Sequence, residues 1–160
     1  MKHSKSKTHS ATSNPFKNAV ESTPEINKGY QVGLKALGNY SNKVQLGDTS
    51  KCNGSVDIDA CTQAIYPQDN RWDYVFGYND KAYFVEVHGA YTGEVSVVLK
   101  KLEWLKDWLI HKAPELNKLK AKEQVFVWVQ SNGNHILKNS PQNRRLAQNG
   151  LTPVASLIVK

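Results

Sequence analysis

The sequence predicts a mixed α/β fold, with a central sheet flanked by helices. Three observations carry that expectation. Residues 71–78 and 82–88 are aromatic and β-branched, and Asn79-Asp80 lies between them as a turn pair, so they read as a hairpin. Apolar residues then shift to helical spacing, with Val98, Leu102, Leu105 and Leu109 forming one stripe. An apolar run, Gln124–Val129 (QVFVWV), follows that helix and has the character of a buried strand.

Taken in order, the chain opens on a polar stretch with basic residues, MKHSKSKTHSATSNP. No apolar segment follows those basic residues, as a secretory signal would require. Residues 1–23 are therefore expected to be a flexible basic tail, and residues 24–160 one domain, long enough to bury a core. Pro24 and Glu25 suit the first turn of a helix through Leu37, with Ile26, Tyr30, Leu34 and Leu37 on one face and Gly38-Asn39 as its stop. Gly29 and Gly33 weaken that helix. Lys43–Leu46 is a short strand candidate. Ser55–Asp59 alternates, with Val56 and Ile58 on one face and Asp57 and Asp59 on the other.

In the hairpin, Trp72, Tyr74 and Phe76 should share one face, and Asp73 and Val75 the other. On its second strand Phe84, Glu86 and His88 share a face. Gly89–Gly93 turns into the long helix, about Glu94 to His111, where Trp104 and Trp108 widen the stripe. SNGNH after the apolar run reads as a turn. Pro141–Asn149 reads as a short helix capped by Ser140 and ended by Gly150, and Val154–Val159 as a last buried strand.

The net charge of +7 is unevenly spread. Residues 52–99 carry net −5, between flanks of +5 and +7. A basic body suits a polyanion, and half of the carboxylates lie in the segment that holds the hairpin. Such a distribution fits a divalent-metal pocket within a phosphate-binding surface. Cys52 and Cys61 complete no zinc pattern. With no export signal expected, free thiols and a cytoplasmic setting follow; a disulfide would need an oxidising compartment.

Asp73, Glu86 and His88 are the residues on which chemistry can be built. Two carboxylates suit Mg²⁺ or Mn²⁺, because hard cations prefer oxygen ligands. Such an ion polarises a phosphate and activates water. The Glu-x-His spacing puts both side chains on one side of the sheet, and Asp73 reaches them across the ladder if the register allows. Each residue also has a plain structural explanation: Asp73 paired with Arg71 or Lys81, and Glu86 hydrogen-bonded to His88.

These residues, in an order of helix, three strands, helix and strand over 25–130, resemble the PD-(D/E)XK nuclease-like superfamily. The resemblance implies a restriction-endonuclease-like αβββαβ core and metal-dependent cleavage of DNA or RNA. Asp73 matches the motif's Asp, and Glu86, thirteen residues later, matches its (D/E). Glu25 matches a position where many members place a further acidic ligand. Trp72 stands where the motif has Pro, and His88 where it has the catalytic Lys. Members that lack this Lys take one from the following helix, which here offers Lys100 or Lys101. His88 is alternatively a metal ligand or a base. Lys138, Arg144 and Arg145 are the candidate phosphate contacts outside the site. The competing expectation is a domain of the same fold that has lost hydrolysis and binds nucleic acid or a protein partner.

Overall fold

A computed structural model describes residues 13–160. Helix α1 (Pro15–Glu21) comes first, and the Asn14 side chain caps it by accepting the Lys17 N–H at 3.0 Å. Strands β1 (Val44–Leu46) and β2 (Cys52–Asp57) follow, then α2 (Ile58–Thr62). The hairpin is β3 (Tyr74–Tyr78) and β4 (Lys81–Tyr91). Helices α3 (Val95–His111) and α4 (Pro114–Lys118) lead to β5 (Phe126–His135), and α5 (Pro141–Gln148) leads to β6 (Leu157–Val159).

The central sheet has the order β2-β3-β4-β5. Its first two pairings are antiparallel, and β4 pairs with β5 in parallel across the α3 crossover. The sheet is thus mixed. Helices cover one face: Phe16 and Val20 of α1, Val98, Leu102 and Leu105 of α3 and Leu146 of α5 join Val56, Val75, Phe84 and Trp128 in one apolar cluster. On the opposite face Phe76, Val85, Val127 and Val129 pack with Leu37, Val44, Leu157 and Val159. The last three belong to β1 and β6, which form a separate parallel pair.

Asn79 and Asp80 have φ of 51° and 67°, the left-handed pair that a two-residue type I′ hairpin needs. That turn sets Tyr78 opposite Lys81 and, four steps along, Tyr74 opposite Val85. Just before β3, the Asp73 N–H donates to the Glu86 side chain, which brings the two residues together. Hairpin, long helix and Ser140-capped short helix all follow the expected pattern.

Several expectations need correction. Residues 24–37 are not an α-helix. Gln31 instead exchanges two backbone hydrogen bonds with Ser55, at 2.9 and 2.8 Å, as an isolated bridge to β2. Gly29 passes so close to Cys61 that an added Cβ would lie 2.5 Å from its sulfur, and Gly33 has φ +58°. The tail boundary at residue 23 moves back as well, because α1 buries Phe16, Ala19 and Val20 in the helical cluster. Residues 1–12 of that tail lie outside the described residues. The strand expected at Ser55–Asp59 ends at Asp57, whose carboxylate caps α2 through the Ala60 N–H at 2.8 Å. Trp72 precedes β3, escapes its alternation, and packs edge-on to Phe126 in the helical cluster. SNGNH is no turn: β5 runs through it with a register shift opposite Gly89. Ile158 of the final strand is half exposed, so only Leu157 and Val159 are buried there. Among the described residues no helix is long and apolar enough to cross a membrane.

If α1 is part of the core, Phe16→Ala should cost about 3–5 kcal/mol, read from the urea midpoint at unchanged slope. A detached tail would show no change.

Candidate functional site

The site is built from three elements that meet above the helical face of the sheet. Asp73 ends the connection into β3. Its carbonyl accepts the Ile58 N–H at 2.8 Å, which anchors the backbone to the start of α2. Its carboxylate Oδ2 accepts the Val87 N–H of β4 at 3.0 Å, and its own N–H donates to Glu86 Oε1 at 3.1 Å. Aspartate and glutamate are therefore cross-bonded through backbone amides of the opposite strand.

Glu86 is completely buried. A carboxylate taken out of water needs a cation or strong donors. Lys101 of α3 supplies the cation, and its Nζ donates to Glu86 Oε2. The same Nζ lies 3.4 Å from Asp73 Oδ1. Because one nitrogen contacts both oxygens, the two carboxylates are separated by less than about 6 Å at these atoms. Two oxygens sharing a divalent ion at roughly 2.0–2.6 Å lie within about 5 Å of each other, and between these two stands the Lys101 ammonium.

His88 stands beside this cluster. Its Nδ1 is 3.4 Å from Glu86 Oε2, and its Nε2 is 2.6 Å from Glu94 Oε1, at the start of α3. An imidazole between two carboxylates donates from both nitrogens only as the imidazolium. The hydrogen bond to Glu86 leads the causes that raise the His88 pKa; burial opposes it, and Glu94 adds to it. Both ring nitrogens thus face carboxylates, and Nε2 is hydrogen-bonded to Glu94. Glu94, which sequence reasoning treated only as a helix start, is the residue it missed. The turn expected at Gly89–Gly93 is not there: β4 runs on to Tyr91, and a short turn at Thr92–Glu94 brings Glu94 back to His88.

Burial, and then the charge of Glu86, push Asp73 up to about 7, against the pull of Lys101. Burial alone would lower the Lys101 pKa, but the charges of Glu86 and Asp73 outweigh it and raise it. The site thus holds more protons than the same residues would in water.

The helical phase decides between the two lysines. Lys101 faces the sheet, and Lys100 is exposed beside Asp69 and Trp104 in a separate groove. Lys100 is therefore removed from the candidates. Glu25 also fails as a metal ligand, since it is not on a helix and its carboxylate accepts from Tyr66 Oη at 2.9 Å and Trp108 Nε1 at 2.9 Å. Trp108 is two turns, about 10 Å of helix rise, beyond Lys101. Asp59 is bound to Arg71 Nε at 2.8 Å, and Asp57 is occupied as a helix cap. Arg144 and Arg145 are exposed on α5, and Lys138 is exposed just before it. Among the described residues, no three His, Cys, Asp or Glu side chains converge as a ready-made metal cluster. Cys52 and Cys61 are free thiols. Of the site residues, Asp73 and Glu86 are the oxygen donors that a hard cation would need.

Compared with protein-family models, curated proteins and solved structures, the chain matches none of them.

The pKa directions give a sign for pH dependence without metal. Asp73 ordinarily titrates at 3.8 but holds its proton to about 7 in the fold, so between those values the folded chain binds more protons than the unfolded chain. Stability from this group falls as pH rises through that window. The raised His88 acts in the same direction, its contribution being complete below 6.5 and lost as pH climbs through its folded value. In EDTA, Tm should therefore fall between pH 5 and pH 8, and Asp73→Asn should flatten that fall, by at most about a few kcal/mol. Parallel Tm profiles in the two proteins would contradict it.

Proposed function

We propose that Asp73, Glu86 and Lys101 form the centre of a metal-dependent phosphodiesterase acting on DNA or RNA. One observation carries the reading: a lysine from the helix after β4 contacts both carboxylates, where the strand itself offers histidine. The succession α1, β2, β3, β4, α3, β5 supports it as a restriction-endonuclease-like core, with α1 taking the place of the helix expected at 24–37.

On this reading the carboxylates of Asp73 and Glu86 would hold Mg²⁺ or Mn²⁺. When bound, the ion polarises the phosphate and lowers the pKa of a water. The chain's own residues do the rest. Lys101 places its ammonium beside the developing negative charge on phosphate oxygens. His88, held by Glu94, fixes the orientation of Glu86 through Oε2. Asp73 releases its proton on loading, so metal affinity rises with pH through about 7. Lys138, Arg144 and Arg145 contact phosphates away from the scissile bond.

A second reading has its own observation. His88 is locked between Glu86 and Glu94, and Lys101 already neutralises the carboxylates, which describes a closed ion-pair cluster. That arrangement fits a nucleic-acid-binding or partner-binding domain without hydrolysis.

Cleavage of single-stranded DNA, duplex DNA and RNA with Mn²⁺ separates the two. Glu86→Gln and Lys101→Met should each lower the rate by about 100-fold or more, and Lys100→Met should leave it unchanged. Equal cleavage by wild type and Glu86→Gln would mark a contaminant. No cleavage by wild type would favour the second reading.

A further inference from the structure

Beyond His88 the strand β4 does not stop. After the register shift it continues to Tyr91, with Ala90 opposite Asn134 and Tyr91 opposite His135 of β5. These two residues are exposed, Tyr91 by 42%, yet their rings are stacked, with centroids 4.8 Å apart and planes 11° apart. Asn132 holds both. Its side-chain amide donates to Tyr91 Oη at 3.1 Å, and its carbonyl is 3.0 Å from His135 Nε2, which makes Nε2 the protonated nitrogen. Glycines leave the space: a Cβ at Gly89 would lie 3.0 Å from the Tyr91 ring, and one at Gly133 3.3 Å from His135 Nε2. An aromatic pair is thus fixed in place on a polar arm where it fills no core.

The arm joins a segment of the chain with one sign of charge. From Gln124 to Lys160 the chain has no Asp or Glu, but it has Lys138, Arg144, Arg145 and Lys160. Thr92 Oγ1 accepts the Leu137 N–H at 2.9 Å, which ties the arm to the segment carrying Lys138. Asn143 donates to the Lys138 carbonyl at 2.9 Å, and Arg144 to the Asn139 carbonyl at 3.3 Å, so α5 docks on that same segment.

We infer that the Tyr91–His135 arm, together with Lys138 and Arg144, binds single-stranded nucleic acid, with an unpaired base stacked on the aromatic pair. Flat π faces accept any base, and cations beside them hold the phosphates. A paired base inside a duplex offers no free face, which favours the single strand. A bound strand would lie next to the candidate site along β4, since the arm continues from His88, two residues after Glu86. The inference rests on the nuclease reading for the fate of that strand; the binding itself needs no hydrolysis.

The test is binding of a fluorescein-labelled twenty-nucleotide oligo-dT and of a matched duplex to the full chain, in EDTA. Single strand should bind tighter than duplex. Tyr91→Ala and His135→Ala should each weaken single-strand binding by about ten-fold, and Tyr91→Phe should restore it. Lys138→Ala and Arg144→Ala should each reduce the slope of log K against log salt by roughly 0.7. A strand carrying 2-aminopurine should lose fluorescence on binding to wild type and keep it with the alanine variants. Unchanged affinity in both aromatic variants, or equal affinity for duplex, would overturn the inference. Tight, stacking-dependent binding without Mn²⁺ cleavage would instead sustain it and count against the nuclease reading.

Discussion

A buried carboxylate needs a cation, and Glu86 is the place where this fold meets that demand. Its side chain has no access to water, and Lys101 on the following helix answers it. The desolvation of two such charges costs several kcal/mol each, and their attraction offsets this only when the geometry is well kept. That requirement links the β3–β4 register to the phase of α3. If the hairpin slipped by one residue, Glu86 would point to the opposite face and Lys101 would lose its partner. If the helix turned by one residue, Lys100 would face the sheet instead.

Apolar packing reinforces the same geometry. Leu102 and Leu105, next to and one turn beyond Lys101, sit in the cluster with Val75 and Phe84, the neighbours of Asp73 and Glu86 on the sheet. The stripe that docks α3 thus also aims its lysine. The two carboxylates are further cross-bonded through the amides of Asp73 and Val87, so neither rests on side-chain packing alone. An ion-pair cluster of this kind is held by backbone, and backbone is what a hairpin with a fixed turn supplies.

His88 changes meaning in this setting. From the strand pattern it was the substitute for a lysine, with roles open as ligand, base or relic. Between Glu86 and Glu94 its two ring nitrogens each face a carboxylate, which favours the charged form. The cationic role belongs to Lys101, and the histidine becomes the connection from the site to the start of α3. The acidic segment seen in the charge distribution therefore divides: Asp73, Glu86 and Glu94 gather at the site, and Asp57, Asp59 and Asp69 serve a cap, an arginine and Trp104.

Local chemistry was enough to read the hairpin, its Asn79-Asp80 turn, the α3 stripe and the Ser140 cap, because turn residues, periodicity and capping act over a few neighbours. It was also enough to place Asp73 and Glu86, thirteen residues apart, on the two arms of the hairpin. It failed where distant partners decide. Residues 24–37 have helical spacing, yet Gln31 bonds Ser55 on β2, and that bridge overrides propensity. Phe16 looked like part of a polar tail because only the core it enters, over Gly77, shows why it is there. The choice of Lys101 over Lys100, the loss of Glu25 to Tyr66 and Trp108, and the pairing of His88 with Glu94 needed the packed helix. Sequence alone determined that Glu86 and His88 would share one face of a strand, since period-2 alternation requires it, and the hairpin register then brought Asp73 to the same side. Tertiary structure decided which cation would meet the carboxylates, since that depends on how a helix seventeen residues long lies across the sheet.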